Sequence, residues 1–408
     1  MKWLFRQNRF IFLLGCAPVL FFFSSLFTYF AQDDFFLLSV SKAANLNNLF
    51  EFFIPRPDVV WYRPLSSQVF FFTARLLFGL QPFFYHLIVF VTHATVIIFL
   101  YKLLLRFGLN NKLSFVSALA YGIHQIHVVS LSWLATYSFV LGPLFLVLLL
   151  YYSNLFRYKQ SLLVYFAGML TTEFFIVFMP LYTWNEFIYT GKINKIKSFS
   201  FAAVSAFILY LRFVAFPTQF SSDLYKFALA NEIFPTLKFY LFRIFGIPLL
   251  YDILPLILQL VSFISVILCV GFVLVGIYQS YTSKLTIPKW VWLTGGTSLV
   301  SLFPFMLLTS HVAPHYLSFT LITLLPIFSW FISRARLINV RVWTIVFMAF
   351  LFSNTIGIIW TYQTHWIFRR AKLAEKLVQQ QNFIHPVGSE EYVSLGANSA
   401  AQDFGSKP

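Results

Sequence analysis

Pro255-Leu256-Ile257-Leu258-Gln259-Leu260-Val261-Ser262-Phe263-Ile264-Ser265-Val266-Ile267-Leu268-Cys269-Val270-Gly271-Phe272-Val273-Leu274-Val275-Gly276-Ile277 contains no charged side chain. A helix of about 20 such residues covers the hydrocarbon core of a bilayer. Outward from this run, which lies inside 251–279, comparable stretches recur at 10–30, 83–105, 113–131, 133–152, 198–216, 290–309, 316–332 and 342–362. Composition agrees: the chain is 59% hydrophobic and 10% charged, with 55 Phe. Soluble domains carry about a quarter charged residues. The expected class is therefore an all-α, polytopic integral membrane protein.

The stretch 161–190 is apolar but interrupted at Thr171-Thr172-Glu173 and at Pro180. Proline removes a backbone donor, so two short helical pieces fit better than one straight span. With both pieces counted, about eleven membrane segments are expected.

The formal charge is +16, from 29 Lys plus Arg against 13 Asp plus Glu. The basic residues fall in short loops between apolar runs, which is the pattern of membrane topology, so no nucleic-acid partner is expected. Lys2, Arg6 and Arg9 place the N-terminus in the cytoplasm. Lys102, Arg106 and Lys112, then Arg157 and Lys159, then Lys192, Lys195 and Lys197 mark further inside loops. Lys284 with Lys289, and Arg334, Arg336 and Arg341, complete the set. No small-residue cleavage site follows the positive start, which reads as an uncleaved first helix. Since 153–160 and 191–197 both read as inside, 161–190 is expected to enter and return as a broken hairpin.

The segments left outside are 31–82, the turn near 124–132, the tip at Glu173, 217–250, 310–315 and the tail 363–408. One transmembrane unit over 1–362 is expected, with interfacial helices in 31–82. The tail opens with a charged helical stretch from Arg369 to Gln381. It turns polar after Pro386, the composition of a partly disordered end. Cys16 and Cys269 sit in apolar runs and offer no disulfide framework. The sequence has no Gly-rich phosphate loop, no CxxC and no HExxH.

The few polar groups assigned to the outer half carry the chemical information. Asp33 and Asp34 are adjacent carboxylates just beyond the first span. Such a pair can hold a divalent cation, or one acid can be raised in pKa by the other and act as a base. A solvated helix cap is the plainer alternative. Arg63, in Trp61-Tyr62-Arg63-Pro64-Leu65, could bind a phosphate through a bidentate contact, or snorkel among aromatic anchors. His124 and His127 share a face if helical. They suit a metal, a sugar hydroxyl, or simple interfacial packing. Glu173 lies at the break of an apolar hairpin, where an acid is costly and usually functional. His311 and His315 form another outside turn, and His86 and His93 could line the same cavity, or all could be packing elements with a satisfied ring nitrogen. Arg212 lies near the outer end of 198–216.

At these residues the chain resembles the GT-C superfamily, multispanning glycosyltransferases that use polyprenyl-phosphate sugars. It looks most like the branch containing protein O-mannosyltransferases and lipid A aminoarabinose transferases. Asp33-Asp34 matches the acidic pair in that superfamily's first outside loop. Tyr62-Arg63-Pro64-Leu65 is similar to its Arg-Pro-Leu segment. His124-Gln125-Ile126-His127, leading to Trp133, is similar to its His-Pro-x-His segment, with Gln125 in place of Pro. Thr172-Glu173 followed by Pro180 is similar to a Lys-Glu motif, with Thr172 in place of Lys. His315-Tyr316 stands where an Arg-Tyr is expected. The motifs run in order over roughly residues 10–185.

The resemblance implies a GT-C-like helical bundle and an inverting transfer of sugar from a polyprenyl-phosphate donor. The acceptor would be a hydroxyl on a protein or glycolipid at the outer face of the cell membrane. It casts Asp33 as base or metal ligand and Asp34 as its partner. His124, His127 and Glu173 would shape the substrate or metal site, and Arg63, Arg212 and His315 would meet the donor phosphate. A divalent cation, Mg or Mn, held by Asp33 and His124 would be the cofactor. Two other classes share features. A secondary transporter has broken helices and buried acids but usually an inverted repeat, which this sequence lacks. A ligase or polymerase of lipid-linked glycans shares the substrate but usually lacks the early Asp pair.

Overall fold

The computed structural model describes residues 2–59, 61–217, 232–334 and 340–380, a helical bundle with no strand among them. Among the described residues eight helices are long and apolar enough to cross a membrane: Asn8–Phe27, Pro82–Arg106, Leu134–Asn154, Lys195–Ala215, Leu256–Thr282, Lys289–Leu307, Pro314–Arg334 and Arg341–Thr364. The chain is thus a helical membrane protein. The remaining three of the expected segments are short helices. The polar tail beyond 380, Arg336, and most of 217–231 lie outside the described residues.

In chain order, α1 (Lys2–Phe22) leads through a turn to α2 (Asp33–Val40) and α3 (Leu46–Glu51). α4 (Phe70–Phe78) follows, then α5 (Pro82–Arg106), α6 (Asn111–Gly122) and α7 (His127–Ser132). Pro82 opens α5, where its missing N–H costs nothing. Asn110 caps α6 by accepting the Leu113 N–H at 3.0 Å. The expected span 113–131 does not form one helix, because α6 ends at Gly122 and α7 starts afresh at His127. At 12 residues, α6 reaches only about 18 Å.

The hairpin breaks where an acid and a proline interrupt the apolar run. α8 (Ser138–Asn154) is followed by α9 (Tyr158–Met169), a tight turn over Glu173–Phe178, and α10 (Leu181–Thr190). Gly168 lets the turn fold back on α9, since a Cβ there would lie 2.3 Å from the Phe175 ring. The two ends meet again: the rings of Phe156 and Tyr189 are 6.0 Å apart, and Asn185 Nδ2 donates to the Ser153 carbonyl at 2.8 Å. The tip meets the first loop instead, with Leu65 N–H on the Leu170 carbonyl and Ser66 Oγ on the Thr171 carbonyl.

α11 (Lys195–Tyr210), α12 (Ile233–Ile244), α13 (Leu256–Thr282), α14 (Lys289–Leu307), α15 (Leu317–Arg334) and α16 (Val340–Thr364) complete the bundle, and α17 (Trp366–Gln380) folds back onto it. Gly276 lets α13 approach α15 closely, because a Cβ there would meet the Phe331 carbonyl at 2.4 Å. Small residues commonly allow such contact between membrane helices. On α13, Leu256, Ile257, Leu260, Phe263, Ile264 and Ile267 are exposed. Lipid, not water, suits that surface.

The bundle therefore has two distinct polar ends. One gathers Arg106 on the Asn154 carbonyl, Lys289 on the Tyr189 carbonyl and the Lys197–Glu186 ion pair. The other gathers the acidic pair, Arg63, Glu173, the 311–315 turn and α17.

Candidate functional site

The site starts at the turn after α1. Gln32 takes a positive φ of 46°, which starts α2 sharply and puts both acids in its first turn. Asp34 is 1% exposed. Its two oxygens accept the N–H groups of Ala31 at 2.9 Å and Ala135 at 2.7 Å. One carboxyl thus ties the start of α2 both to the turn before it and to the start of the 134–154 helix. Burial pushes its pKa well above the ordinary range, against the pull of both amides. Asp34→Ala is expected to lower the thermal unfolding midpoint in detergent, at about 1–3 kcal/mol for each amide left without an acceptor. A midpoint equal to wild type would show that the clamp does not hold the loop.

Asp33 is left partly exposed beside this clamp. Burial raises its pKa to about 6, with the positive charge of Arg370 pulling the other way. Arg370 is a residue the sequence did not single out. α17 seats Ile367 and Ala371 against Ala31, with Tyr29 and Trp133 around them. Arg370 is thereby carried beside the acidic pair, 6% exposed, stacked 4.4 Å over the Trp366 ring and donating to Gln32 Oε1. The available signal was the helical spacing of Ile367, Ala371 and Ala374 in an otherwise charged tail.

Across the same end, Arg63 Nε donates to Glu173 Oε2 at 2.8 Å, while the Tyr62 N–H donates to Glu173 Oε1. The guanidinium lies 5.4 Å from the Trp61 ring, 5.7 Å from Phe139 and 6.0 Å from Phe174. Arg63 and Glu173, 110 positions apart, thus form one ion pair lined by aromatic rings. His315 packs 4.8 Å from the same Phe139 ring. His311 Nδ1 meets the Tyr316 hydroxyl at 2.6 Å. Burial lowers the His311 pKa, and the charge on Arg63 lowers it further. Arg212 is buried and donates to the backbone carbonyls of Val59 at 2.6 Å and Arg56 at 3.3 Å, bracing the first loop.

The two histidines of the 124–127 turn do not join this group. Since the backbone there is a turn, their rings diverge. His124 lies against the Ile244 carbonyl and the Phe350 ring, at an apolar cavity of about 120 Å³ that also touches Cys269 and Phe272. His127 packs 4.4 Å from His93 and 4.7 Å from Tyr121. His86 and His93 contact backbone carbonyls: His86 those of Leu131 and Thr28, and His93 that of Gly122. Among the described residues no group of three or more His, Cys, Asp or Glu is arranged to hold a metal ion. Asp33 and His124, expected as a ligand pair, have separate surroundings.

No protein-family model matches this chain, and no curated protein is significantly similar to it. Its chemistry is therefore read from its own residues: one tied acid, one available acid with a raised pKa, a cation beside it, and an aromatic-lined ion pair.

Proposed function

We propose that the chain is an inverting membrane glycosyltransferase that moves a sugar from a polyprenyl-phosphate donor to a hydroxyl on a protein or lipid acceptor. The observation that carries this reading is the division of labour within the acidic pair. Asp34 is spent on two amides, while Asp33 remains partly exposed with a pKa of about 6. A base of that strength suits proton abstraction near neutral pH. Asp33 takes the acceptor hydroxyl proton as that oxygen attacks the anomeric carbon. The bond from that carbon to the phosphate oxygen breaks, and polyprenyl phosphate departs with the electron pair. A single displacement inverts the anomeric centre. Arg63, Glu173 and the rings of Trp61, Phe139 and Phe174 offer the sugar hydrogen bonds and a stacking wall.

The test is to incubate purified protein with radiolabelled polyprenyl-phosphate sugars and acceptor extracts. Label transferred with inverted configuration supports the reading, and retention of configuration or no transfer from any donor defeats it.

The site is assigned to the outer face, with the N-terminus cytoplasmic, because the opposite end carries Arg106, Lys197 and Lys289. Cysteines introduced at Phe156 and Asn194 are expected to resist an impermeant reagent added outside intact cells. Labelling of either position would reverse the orientation.

A further inference from the structure

We propose that a cleft in the 31–82 segment, between the C-terminal end of α2, the 51–57 wall, Gln68 and Phe216, binds a neutral sugar unit of the acceptor. This rests on the glycosyltransferase reading and makes the acceptor a glycan rather than a protein side chain. The cleft measures about 420 Å³, inside the usual range of small-molecule sites, about 300–1,000 Å³. It shares α2 with the acidic pair. Asp33 and Ser39 stand at opposite ends of that helix, about 9 Å apart along its axis. A ligand held here therefore presents its reacting hydroxyl to Asp33 from a neighbouring unit, not from the unit in the cleft.

The lining is rich in acceptors and balanced in charge. Gln68 Oε1 is buried with no hydrogen-bond partner among the described residues. It belongs to the turn of π-helix over Leu65–Val69 that follows Arg63, a kind of turn frequent at functional sites. A buried acceptor without a donor is costly, and a ligand hydroxyl satisfies it. Ser39 Oγ donates its one proton to the Phe36 carbonyl at 2.6 Å, so toward the cleft it can only accept. The Glu51 carboxylate is a third acceptor. Arg56 is closed by Asp58, through Nε at 3.0 Å and Nη2 at 2.7 Å, and Lys42 and Glu51 have opposite signs. Clustered acceptors without excess charge suit a ligand with several hydroxyls, not an anion. Phe52 is buried and fixed edge-to-face on Phe72 at 5.6 Å, and Phe216 stands exposed at the rim. Both offer a wall to the apolar face of a sugar ring. The Tyr62 hydroxyl holds that side by donating to the Phe53 carbonyl at 2.8 Å, and Arg212 holds the Arg56 and Val59 carbonyls. An extended peptide would need a row of open backbone donors. The N–H groups of Phe52, Phe53 and Ile54 are already taken by the carbonyls of Leu49, Phe50 and Glu51.

The experiment uses the full-length protein in nanodiscs. Lactose, maltose and N,N′-diacetylchitobiose are titrated in, with a neutral serine-containing hexapeptide alongside, and binding is read by saturation-transfer NMR. Wild type is expected to bind at least one disaccharide and not the peptide. Gln68→Leu, which removes the unpartnered oxygen, is expected to weaken that binding about fivefold, as for one lost hydrogen bond. Gln68→Glu, which keeps an acceptor oxygen, should retain more of it. Phe216→Ala, at the exposed rim, should weaken it without moving the unfolding midpoint, and Asp33→Asn should bind as wild type does. The bound disaccharide is then offered as acceptor with radiolabelled polyprenyl-phosphate sugars and should take up label. Binding of the peptide alone, or disaccharide binding unchanged in both Gln68→Leu and Phe216→Ala, overturns the cleft. Label transferred to protein, with no disaccharide bound, overturns it too but leaves the glycosyltransferase reading standing. Disaccharide binding that depends on Gln68, with no transfer from any donor, defeats that reading and the acceptor role with it.

Discussion

Asp33→Asn is expected to lower turnover by about 10²–10⁴-fold, the usual contribution of a positioned base, while the unfolding midpoint in detergent stays at or slightly above wild type. The two effects separate because the fold and the chemistry rest on different carboxyls. Asp34 closes the clamp between Ala31 and Ala135. Asp33 has a raised pKa, so the folded state holds its charged form at a cost. Removing that charge at neutral pH relieves the cost. For the same reason, the stability owed to Asp33 is fullest below its ordinary value of 3.8 and is lost as pH rises through about 6. Near-normal turnover in Asp33→Asn would remove it from the chemistry.

The second large effect is on the pH profile. Below about pH 6 Asp33 is protonated and cannot accept a proton, so kcat/KM is expected to fall about tenfold per unit on the acid side. The charged group that acts on Asp33 is Arg370 beside it. Removing Arg370 takes away the charge that favours the carboxylate, so the acid limb should move to higher pH in Arg370→Gln. His365 is held near 4, and His311 also lies below its ordinary value. An acid limb unchanged in both Asp33→Asn and Arg370→Gln would assign the ionisation elsewhere.

Much of the architecture was readable because hydrophobic length is a local property. Most of the long spans coincide with runs visible in the sequence, and the break at Thr171–Glu173 appears where a charge and a proline interrupt the pattern. The run 113–131 misled because it is apolar throughout. Its helix stops at Gly122, and the turn that follows sends His124 and His127 into different surroundings. The pairing of Arg63 with Glu173 was not visible, although both residues were, because it joins two loops 110 residues apart. Arg370 was missed altogether. It meets Gln32 across 338 residues, and the periodicity of α17 is short and embedded among charges.

The most direct test of glycosyl transfer at the Asp33 end is release of free polyprenyl phosphate from its sugar-linked form. It should be measured in sealed vesicles where donor and acceptor reach only one face. Release is expected with wild type when the face bearing Asp33, Arg63 and Arg370 is accessible, and is expected to be nearly abolished in Asp33→Asn. Equal release by that variant, or release only from the face bearing Arg106 and Lys289, would contradict the account.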